Sequence, residues 1–192
     1  GGVIEAKSNI NIFESDHLIT YGVDYSATDF SRVRNKTRTK NGTAEAYDPK
    51  KDTPDSDIKR TGVYLQDEFT SGKFDFIVGL RYDNYDLDAK ADSIYLASGN
   101  QQASRAPGSP DINLTEDYAA DLSESNWSPK FAATYNFNKK LSAYGSYSKG
   151  FRAPAYYEVN SSFYNLRSYY KTESNPALKP ETSDSYEIGI RR

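Results

Sequence analysis

Trp127-Ser128-Pro129-Lys130-Phe131-Ala132-Ala133-Thr134-Tyr135-Asn136-Phe137 places Trp127, Pro129, Phe131, Ala133, Tyr135 and Phe137 at odd positions and Ser128, Lys130, Ala132, Thr134 and Asn136 between them. Successive side chains of an extended chain point to opposite faces, so this run is a strand with one apolar and one polar face. The same period of two returns at Phe74, Phe76, Val78, Leu80 and Tyr82 against Asp75, Ile77, Gly79, Arg81 and Asp83, with Ile77 the discordant residue. His17, Ile19, Tyr21, Val23 and Tyr25 alternate with Leu18, Thr20, Gly22 and Asp24, and Tyr186, Ile188 and Ile190 with Glu187, Gly189 and Arg191. Weaker alternation covers Ile4 to Ile12, Val63 to Phe69 and Leu141 to Phe151, giving seven expected strands.

The links between them alternate strictly in length. Phe13 to Asp16, Ser71 to Lys73 and Asn138 to Lys140 are short, with Gly72 free to take positive φ. Ser26 to Lys59, Leu87 to Ser125 and Arg152 to Glu181 are long, polar and rich in Asp, Asn, Ser and Pro. Loops beyond about 12–15 residues are uncommon in compact domains. An antiparallel transmembrane β-barrel collects such loops on its extracellular side, with short periplasmic turns and strands alternating apolar-out and polar-in. Tyr25, Phe30, Trp127, Tyr135 and Phe137 are then expected in interfacial aromatic girdles. Seven strands do not close a bacterial barrel, so the chain reads as a segment of a longer wall. A soluble β-sandwich gives the same alternation, because the pattern does not distinguish lipid from core.

Composition narrows the function. The 192 residues hold 24 Lys plus Arg against 27 Asp plus Glu, a net charge of −3, which lacks the basic excess of a nucleic-acid binder. Only 36% are apolar and mean hydropathy is −0.81, which taken alone would indicate a loop-rich soluble chain. The 17 Tyr, 9 Phe and single Trp, arranged at every second position, oppose disorder. No apolar run approaches the ~18 residues of a membrane helix, no signal peptide opens the chain, and without Cys there is no disulfide. No GxSxG, HExxH, CxxC or phosphate-cradling glycine loop is present, so no enzyme is expected. Asp48, Asp52, Asp55 and Asp57 lack the spacing and Gly of a calcium loop and read as a solvated segment.

The C-terminal third carries Phe151-Arg152-Ala153-Pro154, then Asn175-Pro176-Ala177-Leu178-Lys179-Pro180-Glu181-Thr182-Ser183, then Tyr186-Glu187-Ile188-Gly189. These resemble the FRAP, NPxL-LKPE(T/S) and YE(L/I)G boxes of TonB-dependent outer-membrane receptors. Tyr21-Gly22-Val23-Asp24-Tyr25-Ser26, Arg60 to Glu68, Gly79-Leu80-Arg81-Tyr82-Asp83 and Trp127-Ser128-Pro129-Lys130 extend the resemblance over nearly the whole chain. Pro54-Asp55, Leu122-Ser123-Glu124-Ser125 and Tyr157-Glu158-Val159-Asn160 look most like the haemoglobin/transferrin/lactoferrin branch of haem receptors.

The resemblance implies that residues 1–192 belong to the C-terminal barrel of a receptor in a Gram-negative outer membrane, with the N-terminal plug outside this chain. It implies haem as transported ligand, taken from a carrier such as haemoglobin, no intrinsic cofactor, and release powered by TonB-ExbB-ExbD. Several haem receptors place a ligating His between the FRAP and NPxL boxes. This sequence has none there; its one His, His17, follows a short turn and reads as a strand-end residue. The inter-box segment instead offers Tyr156, Tyr157, Tyr164, Tyr169 and Tyr170, with Arg167 and Lys171. Tyrosinate ligates haem iron and a cation pairs with a propionate; equally, so many tyrosines stack among themselves. Phe151, Arg152, Ala153, Pro154, Asn175, Pro176, Leu178, Pro180 and Glu181 carry the boxes and read as architectural, since prolines end ladder pairing where a strand leaves the sheet. Three other functions fit the same residues in part: a ferric-siderophore receptor, a general porin, and a soluble Tyr-rich β-sandwich binding carbohydrate or protein.

Overall fold

The computed structural model describes residues 1–98, 119–161, 163–165, 170–172 and 174–192. Its elements are β1 (Gly2–Ile12), β2 (Ser15–Phe30), β3 (Thr37–Lys40), β4 (Thr43–Ala46), β5 (Asp55–Ser71), β6 (Phe74–Lys90), α1 (Ser93–Ala97), β7 (Leu122–Asn138), β8 (Leu141–Arg152), α2 (Tyr156–Asn160), β9 (Phe163–Asn165), β10 (Tyr170–Thr172) and β11 (Glu181–Arg191). Seven strands form one antiparallel sheet in the order β1-β2-β5-β6-β7-β8-β11. β3 and β4 form a separate hairpin, as do β9 and β10.

All short turns lie at one end of the sheet. β1 and β2 are joined by Phe13 and Glu14, both at positive φ (50° and 62°), and β5 and β6 by a turn in which Gly72 takes φ 61°. Positive φ at these positions lets the turn twist with its strands. At the other end the strands run farther than the alternation indicates. β2 continues to Phe30, β5 begins at Asp55, β6 continues to Lys90 and β7 begins at Leu122, so two of the expected long loops are shorter than read. The alternation is obscured there because it changes phase. Along β6, even positions are apolar from Phe74 to Tyr82, then polar at Asn84, Asp86 and Asp88; odd positions are mainly polar from Asp75 to Asp83, then apolar at Tyr85 and Leu87.

The register puts Phe74, Phe76, Val78, Leu80 and Tyr82 opposite Tyr135, Ala133, Phe131, Pro129 and Trp127, making one continuous apolar face. Two aromatic bands bound it. Near the turns, His17 stacks on Phe69 (4.6 Å), Phe69 on Phe76 (5.1 Å), and Phe74 and Phe137 each pack on Tyr135. Toward the loops stand Tyr82 with Trp127 (4.9 Å) and Tyr147 with Tyr186 (5.1 Å). Phe74 and Tyr82 are separated by ~26 Å of strand, or ~20 Å of height at a tilt of about 40°. Phe30, expected in a girdle, points to the opposite face and stacks on Tyr156 at 4.0 Å, because it lies beyond the phase change.

On the polar face, long side chains lie flat across glycines. Arg81 crosses Gly62 to reach Asp24 (2.9 Å) while also holding Asp83 (2.7 Å); a Cβ at Gly62 would stand 2.0 Å from its guanidinium. Tyr64 crosses Gly22 in the same way, and its hydroxyl donates to Glu5 at 2.8 Å. Glycine here makes room for close approach.

Beyond the phase change the polar-face side carries a small core of its own: Ile58, Tyr85, Leu87, Leu122 and Val159, with Ala120, Ala153, Tyr156 and Leu178 packed against it. A buried Lys51 ties the neighbouring loops by pairing with Asp55 (2.7 Å) and Asp92 (2.6 Å), the latter capping α1. Burial alone would lower the Lys51 pKa, but the hydrogen bonds and charges of the two carboxylates raise it.

Candidate functional site

The loop end of the sheet is organised by the segment between β8 and β11. β8 ends at Arg152, which stands directly opposite Glu181, the first residue of β11. The guanidinium meets both Glu181 oxygens (2.9 and 3.1 Å) and both Glu158 oxygens (3.3 and 3.2 Å). Glu158 also accepts from the Ala155 amide at 2.8 Å, closing the first turn of α2. Two sequence-distant boxes are therefore one charge-assisted unit with Arg152 at its centre.

Pro154 is buried where the chain leaves the ladder, and Ala153 lies against the core. Val159 at 0% exposure seats α2 on Leu87 and Leu122, and the Asn160 amide both donates to and accepts from the backbone of Ala120 (2.9 and 2.7 Å). Asn175 forms a tight turn. Its amide donates to the Val159 carbonyl (2.9 Å), its side-chain oxygen accepts from Ala177 (3.2 Å), and its carbonyl accepts from Leu178 (3.3 Å), whose side chain packs on the core. Pro176 is exposed and Pro180 half-buried; Phe151 is half-buried at the end of β8.

The tyrosines separate. Tyr156 is half-buried and stacked on Phe30, and burial raises its pKa, which disfavours the tyrosinate form. Tyr157, edge-on to Tyr156 at 5.4 Å, is 51% exposed. Tyr164 and Tyr170 are backbone positions of the paired strands β9 and β10. Arg167 and Tyr169 lie outside the described residues. His17, at the far end of the sheet, places Nδ1 2.8 Å from an Asp67 oxygen. The acidic run divides among cations: Asp52 pairs with Arg34, Asp55 with Lys51 and Asp57 with Lys90. No metal-holding group of three or more His, Cys, Asp or Glu occurs among the described residues.

Sequence reasoning named Glu158, Asn160 and Arg60 only within family-like motifs, without a role, and did not single out Tyr85. Glu158 meets Arg152 only because the chain turns back after Pro154 into α2, and Arg60 and Tyr85 become partners only through the register.

The family model for the TonB-dependent receptor-like β-barrel matches residues 4–191. The chain belongs to that family. It is thus wall of a Gram-negative outer-membrane receptor barrel: the apolar face between the aromatic bands meets lipid, the polar face lines the lumen, and the long loops are extracellular. Members of this family are receptors and not enzymes. The receptor barrel is 28% identical over 203 residues to a hemin receptor of Yersinia enterocolitica, covering 99% of this chain and 23% of the relative. A hemin receptor of Yersinia pestis is 27% identical over 188 residues, covering 92% and 21%. Its fold matches the Serratia marcescens hemophore receptor HasR, solved as a double mutant with its hemophore HasA and heme, at TM-score 0.65 and 20% identity over 97% of this chain and 28% of HasR. The chain spans about a quarter of the length of these relatives.

The Arg152 unit of the receptor barrel carries a pH dependence. The Glu158 pKa is lowered by the Ala155 amide and then by Arg152, and that of Glu181 by Arg152, both from an ordinary 4.5. Carboxylates with depressed folded values stabilise fully above their unfolded value and lose that contribution as pH falls through the folded one. Docking of the 152–181 segment is therefore expected to hold at neutral pH and to loosen as pH falls below 4.5. Amide protection of residues 155–160, corrected for intrinsic exchange, measures this; Arg152→Gln should flatten the acid transition, and an unchanged transition would dismiss the unit as its cause.

Proposed function

We propose that residues 1–192 form part of the C-terminal barrel of a receptor that takes up haem across the outer membrane. A plug domain would lie elsewhere in the full chain, and TonB-ExbB-ExbD would drive release. The observation that carries this reading is the likeness to two hemin receptors along essentially the whole length of this segment, loops included. Haem would come free or from a carrier such as haemoglobin. It is transported ligand, not resident cofactor.

In this reading Tyr156, Tyr157, Tyr164, Arg167, Tyr169 and Tyr170 are contacts of the incoming ligand at the mouth. Tyr157, exposed and held by a helix anchored on Val159 and Asn160, is the best presented among those described. A half-exposed phenol on a fixed helix supplies a stacking face and an oxygen that ligates iron once deprotonated.

Titrating hemin into the complete receptor in detergent tests the proposal through the haem absorbance band. A saturable one-to-one shift supports it. No shift would transfer the assignment to a ferric siderophore while leaving the barrel unaffected. Replacing Tyr156, Tyr157, Tyr169 and Tyr170 together by Phe should weaken hemin binding about tenfold or more without altering folding, with Tyr157→Phe giving the largest single share. Unchanged affinity would return these tyrosines to packing roles.

A further inference from the structure

On the lumen side, just below α2, lies a cleft of about 460 Å³ lined by Arg60, Arg81, Asp83, Tyr85, Ser128 and Arg152 among others. Its three arginines differ. Arg81 is held by Asp24 and Asp83, and Arg152 by Glu158 and Glu181. Arg60 has no carboxylate partner among the described residues; its guanidinium lies over the Tyr85 ring, 5.3 Å from the centroid. Tyr85 is itself 3% exposed, and its buried hydroxyl has no hydrogen-bond partner among the described residues. A buried donor left unsatisfied is costly unless a ligand completes it, and the exposed Arg60 beside it is placed to share that ligand.

We infer that Arg60 and Tyr85 form a carboxylate-binding subsite in the lumen wall, one step inward from the mouth, which takes a propionate arm of the passing haem. A carboxylate accepts two parallel hydrogen bonds from a guanidinium and one from a phenol, and Arg60 and Tyr85 stand directly opposite each other on β5 and β6, so one anion reaches both. The neighbouring arginines are charge-compensated, so of the cleft's three arginines Arg60 is the one free to exchange partners, while Lys149 adds a further positive charge to the lining. The specific ligand rests on the haem reading; the carboxylate chemistry does not, since a ferric carboxylate chelate presents the same group.

The test uses the complete receptor, wild type and Arg60→Gln, titrated with hemin, with hemin dimethyl ester whose propionates are capped, and with ferric citrate. Arg60→Gln is expected to weaken hemin about tenfold and to leave the ester unchanged, with Arg60→Lys restoring part of the loss. Tyr85→Phe, which keeps the core packed, should weaken hemin by a smaller factor. Equal hemin affinity in wild type and Arg60→Gln overturns the subsite and leaves haem uptake standing, as does an equal loss for hemin and ester, which marks a structural effect. If neither porphyrin binds the wild type, the haem reading fails by itself. Ferric citrate then decides the subsite: weakening by Arg60→Gln supports it, and unchanged or absent binding overturns it.

Discussion

Val78→Arg in the complete receptor is expected to lower barrel stability by about 2–4 kcal/mol, the cost of a cation near the bilayer midplane. Val78 sits midway between the aromatic bands, opposite Phe131, and is 44% exposed on the face that meets lipid. Guanidinium there has no water and no lumen to reach, and the side chain is too short to snorkel past Tyr82 without straining the wall. Gln66→Arg, on β5 and on the opposite face, should change stability by less than about 1 kcal/mol because that face lines the lumen. Folding into lipid vesicles followed by denaturant titration measures both. Equal effects from the two variants would show that the faces are misassigned.

Val159→Asp should act differently: it is expected to undock the mouth while sparing the wall. Val159 is fully buried among Ile58, Tyr85, Leu87 and Leu122. Losing the valine forfeits about 1.5–3 kcal/mol of burial, and a carboxylate placed there adds a desolvation cost of several kcal/mol or forces the segment out into water. Local opening is cheaper than unfolding a strand ladder, so residues 155–180 should become protease-sensitive while β5 to β8 keep full amide protection. Loss of protection throughout would mean that the extracellular core holds the whole sheet. Protection unchanged everywhere would mean that α2 is not seated as described.

The wall was legible because its chemistry repeats every second residue; Trp127 to Phe137 and Phe74 to Asp83 needed only alternation to be recognised as strands, whereas their pairing came with the register. Strand ends were not legible, because the phase change beyond Tyr82 removes the signal that identified the strands below it. Phe30 was misplaced for that reason: an aromatic at a strand end looks like a girdle residue unless its face is known. Ile77, discordant in sequence, is a half-buried lumen-face residue near the turns. At the mouth, the boxes were readable as boundaries, but the link from Arg152 to Glu181 crosses a gap of nearly thirty residues and needs register to be seen. Tyr85 and Leu87 gave no sign of a second core, since two apolar residues do not make a period.

That second core has a consequence for where the protein rests in its bilayer. Apart from Asp67, which is held by His17, the strands are greasy on the outside between the bands and charged on the outside immediately above them, at Asp86, Asp88, Asp57 and Lys59. A downward slide would carry those charges into hydrocarbon, and an upward one would strand Val78, Leu80 and Phe131 in water. The wall is therefore keyed to a single depth.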